Sequence, residues 1–179
     1  GQDLANDFSR LARAVARDPI TRQIFPQLEL DPDRQSVENW ATKQNGGFKP
    51  AGVGGPITGR GAHILICDDP IKGREAAESE VQREKIEETI RDDFDSRIKP
   101  TPIGYIGPRG SRIYITTRWH MLDPVGKILP AKWNGESGDM LGRDGRMWRV
   151  ICIPAQADRA DDPVGRKVGE YLWPEWFPE

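Results

Sequence analysis

The stretch His63–Pro70, "HILICDDP", constrains the fold more than any other part of this sequence. Ile64 to Cys67 form a short apolar run that reads as a strand with both faces covered, the pattern of parallel sheets buried under helices. The run then meets two adjacent carboxylates, Asp68 and Asp69, and Pro70. In open α/β sheets, ligands bind beyond the carboxyl ends of the strands, so an acid in this position stands where ligands go. Two side by side repel each other in a partly desolvated cleft unless a bound divalent cation or a shared proton relieves them. The bland alternative is that both are turn and capping acids ahead of Pro70.

The rest of the chain supports an alternating architecture. "DLANDFSRLARAVARD" places Leu4, Phe8, Leu11 and Val15 at spacings of three and four, an amphipathic helix ended by Asp18-Pro19. Residues 37–42 and 48–53 flank "KQNGG", whose Asn-Gly marks a hairpin, with Pro50 demoting the second run to an edge strand. From Ala76 to Ile98 the apolar positions Ile86, Ile90, Phe94 and Ile98 recur every four residues, predicting one long helix stopped by Pro100 and Pro102. A strand over 111–117, a short helix with Asp123 as N-cap and Pro124 at its first position, and a strand over 147–154 follow. The expected fold class is α/β, with a largely parallel sheet and helices on both faces. Residues 155–179, rich in Pro, Gly, charge and aromatics without period, read as an extended arm or linker.

Composition excludes several functions. At 179 residues with 36% hydrophobic and 30% charged, the chain supports one lean core. No apolar run approaches the roughly 18 residues of a membrane span, and the N-terminus lacks the features of a signal peptide. A net charge of −2 does not predict nucleic-acid binding, so any DNA contact must be local. Cys67 and Cys152 sit in β-like runs and read as buried, reduced thiols. With His63 and His120 they show no C-x-x-C or H-x₃-H spacing for zinc. The tryptophans, including Trp119, Trp173 and Trp176, read first as core and second as base-stacking platforms. Arg143, Arg146, Arg149 and "RGSR" (109–112) read as solvated surface, with phosphate contact as the alternative.

Four apolar residues followed by Asp and a second acid match a Walker B element, in which the first acid holds Mg²⁺ and the second polarises the attacking water. In order and spacing, "DFSRLARAVARDPITRQIFP", "NWATKQNGGFKPAGVGGPITGRGAHILICDDPIKGREAAESE", "IYITTRWH" and "DPVGRKVGEYLWPEWF" resemble the large terminase subunit of tailed bacteriophages and prophages. That family joins a P-loop ATPase bearing an added catalytic acid, which drives DNA into a procapsid, to an RNase H-like nuclease. The resemblance implies a partial P-loop NTPase-like domain over 1–154, downstream of the Walker A loop, and an arm toward an absent nuclease over 155–179.

By position, the resemblance makes Asp68 the Mg²⁺-associated acid. Asp69 becomes the catalytic acid, one methylene shorter than the Glu of many relatives. Thr116 and Thr117 match the coupling motif that senses the γ-phosphate, against a reading of plain strand propensity and capping. Arg60 in "TGRG" matches a basic residue that reaches a neighbouring subunit's nucleotide, or else sits on a solvated loop. ATP and Mg²⁺ are the implied cofactors. Double-stranded DNA, held weakly by this portion, other large subunits, the small subunit and the portal protein are the implied partners, in the bacterial host cytoplasm with no membrane. The phosphate cradle G-x-x-x-x-G-K-[ST] does not occur in these residues. Family order puts it upstream of residue 1, so poor nucleotide affinity is expected of this stretch alone. Two other readings stand beside the motor: a non-catalytic interaction remnant, and a nuclease using Asp68 and Asp69 with a further acid.

Overall fold

A computed structural model describes residues 1–55, 61–99 and 110–176. The chain forms two compact units, Gly1–Thr117 and Arg118–Glu179. It is a mixed α/β protein with small sheets, and of the four strand pairings among the described residues one is parallel.

The first unit opens with α1 (Gln2–Arg17), which stops where Asp18 turns extended before Pro19. Asp18 then caps a second helix, α2 (Pro19–Ile24), its carboxylate accepting from Ile20 N at 2.8 Å. The Asp-Pro pair therefore ends one helix and starts another, and only the stop was legible as such. The apolar stripe of α1 faces outward. Leu4, Phe8, Leu11 and Val15 are 45–62% exposed, whereas Ser9 and Ala16 are buried. The inward face is small and polar because it meets backbone. Ser9 Oγ donates to Val37 O at 2.5 Å and accepts from Trp40 Nε1 at 3.2 Å. Arg13 donates to the Gln35 carbonyl and Arg17 to its side chain.

That backbone belongs to an antiparallel sheet of β1 (Leu30–Ser36), β2 (Asn39–Thr42) and β3 (Gly47–Phe48), in the order β1-β2-β3. The hairpin at Asn45-Gly46 forms as read, with Asn45 at φ 62, and β3 is the short edge strand ahead of Pro50. Trp40 and Phe48 stack across it at 5.7 Å. β1 escapes a reading by alternation because its sequence, "LDPDRQS", carries acids and a proline. Its pairing with β2 slips between Leu30 and Gln35, which removes Pro32 from the ladder.

β4 (Ile64–Asp68) pairs in parallel with β5 (Ser111–Ile115), Ile66 lying opposite Ile113 and Asp68 opposite Ile115. On one face Leu65 and Cys67 are buried with Ile90, and Ile86, Phe94, Ile98 and Tyr114 pack around them. On the other face Ile64, Ile66, Ile113 and Ile115 remain 43–55% exposed. The apolar run was expected to be covered on both faces; among the described residues, helices cover one.

The covering segment is not one helix. α3 (Gly73–Glu78) and α4 (Glu80–Glu88) are separated at Ser79, whose hydroxyl accepts from Gln82 N as an N-cap. Ser79 and Gln82 stand at the spacing of a capping box, a start signal inside what the periodicity reads as continuous helix. A wider π turn (Thr89–Phe94) and a 3₁₀ turn (Asp95–Arg97) follow. Residues spaced strictly by four drift around a 3.6-residue helix by about 40° per step, and the wider turn takes up that drift, keeping Ile90 and Phe94 over the sheet.

In the second unit, α5 (Pro124–Ile128) begins as read: Asp123 accepts from Gly126 N at 2.6 Å. The strand expected over 147–154 is shorter and joins no parallel sheet. β7 (Met147–Val150) pairs antiparallel with β6 (Gly138–Leu141). The arm expected from residue 155 is folded back on itself. Asp162, buried, accepts from Val164 N and Arg166 N and pairs with the Arg166 guanidinium, which also donates to Pro154 O and Ala155 O. Gln156 bridges to Tyr171. Among the described residues no helix is long and apolar enough to cross a membrane.

Two stability effects follow. Ile90→Ala should cost about 2–5 kcal/mol in a denaturant titration, whereas Val81→Ala, 74% exposed, should stay within about 0.5 kcal/mol. The hydrogen bond from Arg166 holds the Asp162 carboxyl down at about 2, below its ordinary 3.8. Its contribution is thus present above the ordinary value and lost as pH falls through the folded one. The melting midpoint of the parent should drop across that acid window, and Asp162→Asn should start lower and flatten that drop.

Candidate functional site

The carboxyl ends of the two parallel strands bring together residues far apart in sequence. Asp68 is the last residue of β4, exposed, on the same face as Ile66. At Asp69 the backbone swings to φ 35, a left-handed conformation that Asp tolerates better than most side chains. Two bonds fix this turn. Asp69 N donates to Ile115 O at 2.9 Å, and Thr117 N donates to Asp69 Oδ1 at 2.9 Å. Beyond the turn, Pro70 and Ile71 are buried and anchor the outgoing chain.

The sequence-predicted residues are distributed as follows. Asp69 and Thr117 meet, through the carboxylate of one and the backbone N–H of the other. The Thr116 hydroxyl donates to Thr117 O at 3.1 Å and so is turned along its own backbone just past the end of β5. Asp68 stands beside Asp69 on the open face, and no described residue donates to its carboxylate. Arg60 lies outside the described residues, as does Arg109 of "RGSR". Burial, with Asp68 and Asp95 adding to it, pushes the Cys67 thiol up to about 12, so it remains a core thiol.

Chemically, the pair divides into two unlike acids. Asp69 has one oxygen committed to a peptide N–H and the other left as an acceptor, which suits holding a water. Asp68 offers a single uncommitted carboxylate. Among the described residues no three Asp, Glu, His or Cys side chains converge on a metal position. One carboxylate alone fits Mg²⁺, which keeps several waters and takes further ligands from phosphate oxygens, better than an ion needing an all-protein cage.

The basic and aromatic candidates resolve differently. Arg143 donates to Leu129 O at 2.8 Å and to Gly126 O, Arg146 pairs with Asp144 and Arg149 with Asp139, so each is held within its own unit. Trp119, Trp173 and Trp176 are 45–81% exposed rather than in a core. Sequence reasoning passed over Arg118. Its guanidinium pairs with buried Asp123 at 2.8 Å and lies 5.7 Å over the Trp133 ring, so the residue directly after Thr117 is anchored in the second unit. The signal was present in the Asp123-Pro124 cap, which places a buried carboxylate needing a cation.

A scan against models of known protein families finds no match to this chain, and a search of curated proteins finds none either.

The Thr117 N–H should exchange slowly with solvent deuterium. Asp69→Ala should speed that exchange roughly 2- to 12-fold, the loss of a bond worth about 0.5–1.5 kcal/mol, and Asp69→Asn, which keeps an acceptor and tolerates the same backbone, should leave it nearly unchanged.

Proposed function

We propose that this chain is part of the ATPase domain of a large terminase subunit, the motor that packages viral DNA, and that Asp68 and Asp69 are its Walker B acid and catalytic acid. The observation that carries the reading is the acidic pair at the carboxyl end of a parallel strand, with Asp69 bonded to Thr117 just beyond the end of the neighbouring strand. The finer fold proposed is a P-loop NTPase-like sheet of the added-acid type, larger than the parallel pair described above. In this reading Asp68 holds Mg²⁺ through its free carboxylate, and bound Mg²⁺ supplies charge neutralisation at the ATP phosphates. Asp69 orients the attacking water with the oxygen that Thr117 leaves open. Thr116 and Thr117 report on the γ-phosphate, Arg60 faces a neighbouring subunit's nucleotide, and the working partners are double-stranded DNA, other terminase subunits and the portal, in the bacterial cytoplasm.

A second reading, a non-catalytic interaction remnant, is favoured by a different observation: the open apolar surfaces of α1 and of the β4–β5 sheet. Mutagenesis in a full-length protein that carries this chain behind a phosphate loop separates the two. Asp68→Asn should weaken Mg²⁺-dependent nucleotide binding. Asp69→Asn should leave binding nearly intact and abolish hydrolysis, and Asp69→Glu should retain it. Phosphate release by Asp69→Asn near the parent rate would return both aspartates to turn and cap.

A further inference from the structure

The chain carries two Asn-Gly pairs, Asn45-Gly46 in the first unit and Asn134-Gly135 in the second, each with its asparagine exposed. Such a pair can react with itself, the backbone nitrogen of the glycine attacking the side-chain carbon Cγ of the asparagine. Glycine has no Cβ to hinder that approach. The nitrogen becomes a nucleophile only on losing its proton, so whatever holds or polarises that N–H governs the rate.

The two pairs differ at this N–H. In the hairpin, Gly46 N donates to Thr42 Oγ1 at 3.1 Å. Thr42, 7% exposed, also donates its own N–H to Gly46 O at 2.9 Å and accepts from Asn45 N at 3.0 Å. One buried residue thus ties the loop, and the attacking nitrogen is among the tied atoms. At Gly135, no described residue accepts from the N–H. Arg159 Nη2 instead donates to Asn134 O at 3.1 Å. Asn134 O and Gly135 N belong to one conjugated peptide group, so the charge left when the N–H ionises is shared with the oxygen that faces the guanidinium. A donor aimed where charge develops lowers the barrier. Asp158 holds the other edge of this guanidinium at 3.1 Å, and Trp133 Nε1, donating to Glu136 O at 2.8 Å, closes the turn around the pair.

We propose that Asn134 is a site of spontaneous covalent modification promoted by Arg159, and that Asn45 is its protected counterpart. Gly135 N gives its proton to solvent base and bonds to Asn134 Cγ. The Cγ–Nδ2 bond breaks, and the side-chain amide takes up a proton and leaves as ammonia. Water then opens the cyclic imide at either carbonyl, giving aspartate or an isoaspartate whose backbone is longer by a methylene. The net change is water in and ammonia out, with no oxidant or reductant. It places a new carboxylate beside Arg159 and does not depend on the nucleotide reading.

The test follows both sites in one sample of the 179-residue chain held in mildly alkaline buffer. Peptide mass spectrometry reads the exchange of NH2 for OH, and chromatography separates isoaspartate from aspartate. In the folded chain Asn134 should convert at least about 4-fold faster than Asn45, the product of two bonds each worth about 2-fold or more, and in denaturant the two rates should be nearly equal. Thr42→Val should speed Asn45 roughly 2- to 12-fold and leave Asn134 unchanged, whereas Thr42→Ser should keep the parent rate. Arg159→Gln should slow Asn134 by a similar factor without affecting Asn45, and Arg159→Lys, which keeps a cation, should fall between. Far-UV circular dichroism checks the fold of each variant, and the folded-against-denatured comparison needs no variant at all. The proposal is overturned if Asn45 converts as fast as Asn134 in the folded chain, if the lead of Asn134 survives in denaturant, or if a folded Arg159→Gln chain keeps the parent rate.

Discussion

The parallel pairing of Ile64–Asp68 with Ser111–Ile115 is the constraint on which the first unit rests. Parallel neighbours need a long crossover, and here the intervening chain contributes the helical segment that covers one face of the pair. The same pairing delivers Leu65 and Cys67 to the core, aligns four isoleucines on the opposite face and brings Asp69 to within a hydrogen bond of Thr117. Core, open surface and candidate site are therefore three outcomes of one register. A slip by one residue would exchange the buried and open sets and carry Asp69 away from Thr117.

Much of this was legible because the signals were local. The Asp123-Pro124 start of α5, the Asn45-Gly46 turn, the edge position of β3 and the acid pair ending β4 each follow from a few neighbouring residues whose chemistry permits little else. What escaped was set by distant partners. β1 is a strand through pairing with β2 in spite of its acids and proline. β6 and the extent of β7 depend on each other, and α2 was masked by a proline read only as a stop. Periodicity also misled in one direction. It located the apolar stripe of α1 correctly but not the side on which the helix is seated, because backbone carbonyls and Trp40 compete for the opposite face through Ser9.

The candidate site shows the same division. That Asp68 and Asp69 sit at a strand end follows from four apolar residues and a proline. That they behave as unlike acids does not: it arises from the left-handed turn at Asp69 and from a peptide N–H 48 positions along the chain. Within the second unit, Arg118 pairs with Asp123 and lies over the Trp133 ring, partners chosen for charge rather than for apolar packing.

The π turn at Thr89–Phe94 has a consequence for how this segment tolerates changes of length. A π turn holds one residue more than the α turn it replaces, so deleting a single residue there would leave a regular and locally more comfortable helix. Because both turns complete about one revolution, that deletion would leave Ile98 and the Asp95 that pairs with Arg112 close to their present phase over the sheet. The same deletion in the regular helix of Glu80–Glu88 would instead rotate everything downstream by roughly 100° and carry both off the sheet. The segment's tolerance to a change of length is therefore confined to this one turn.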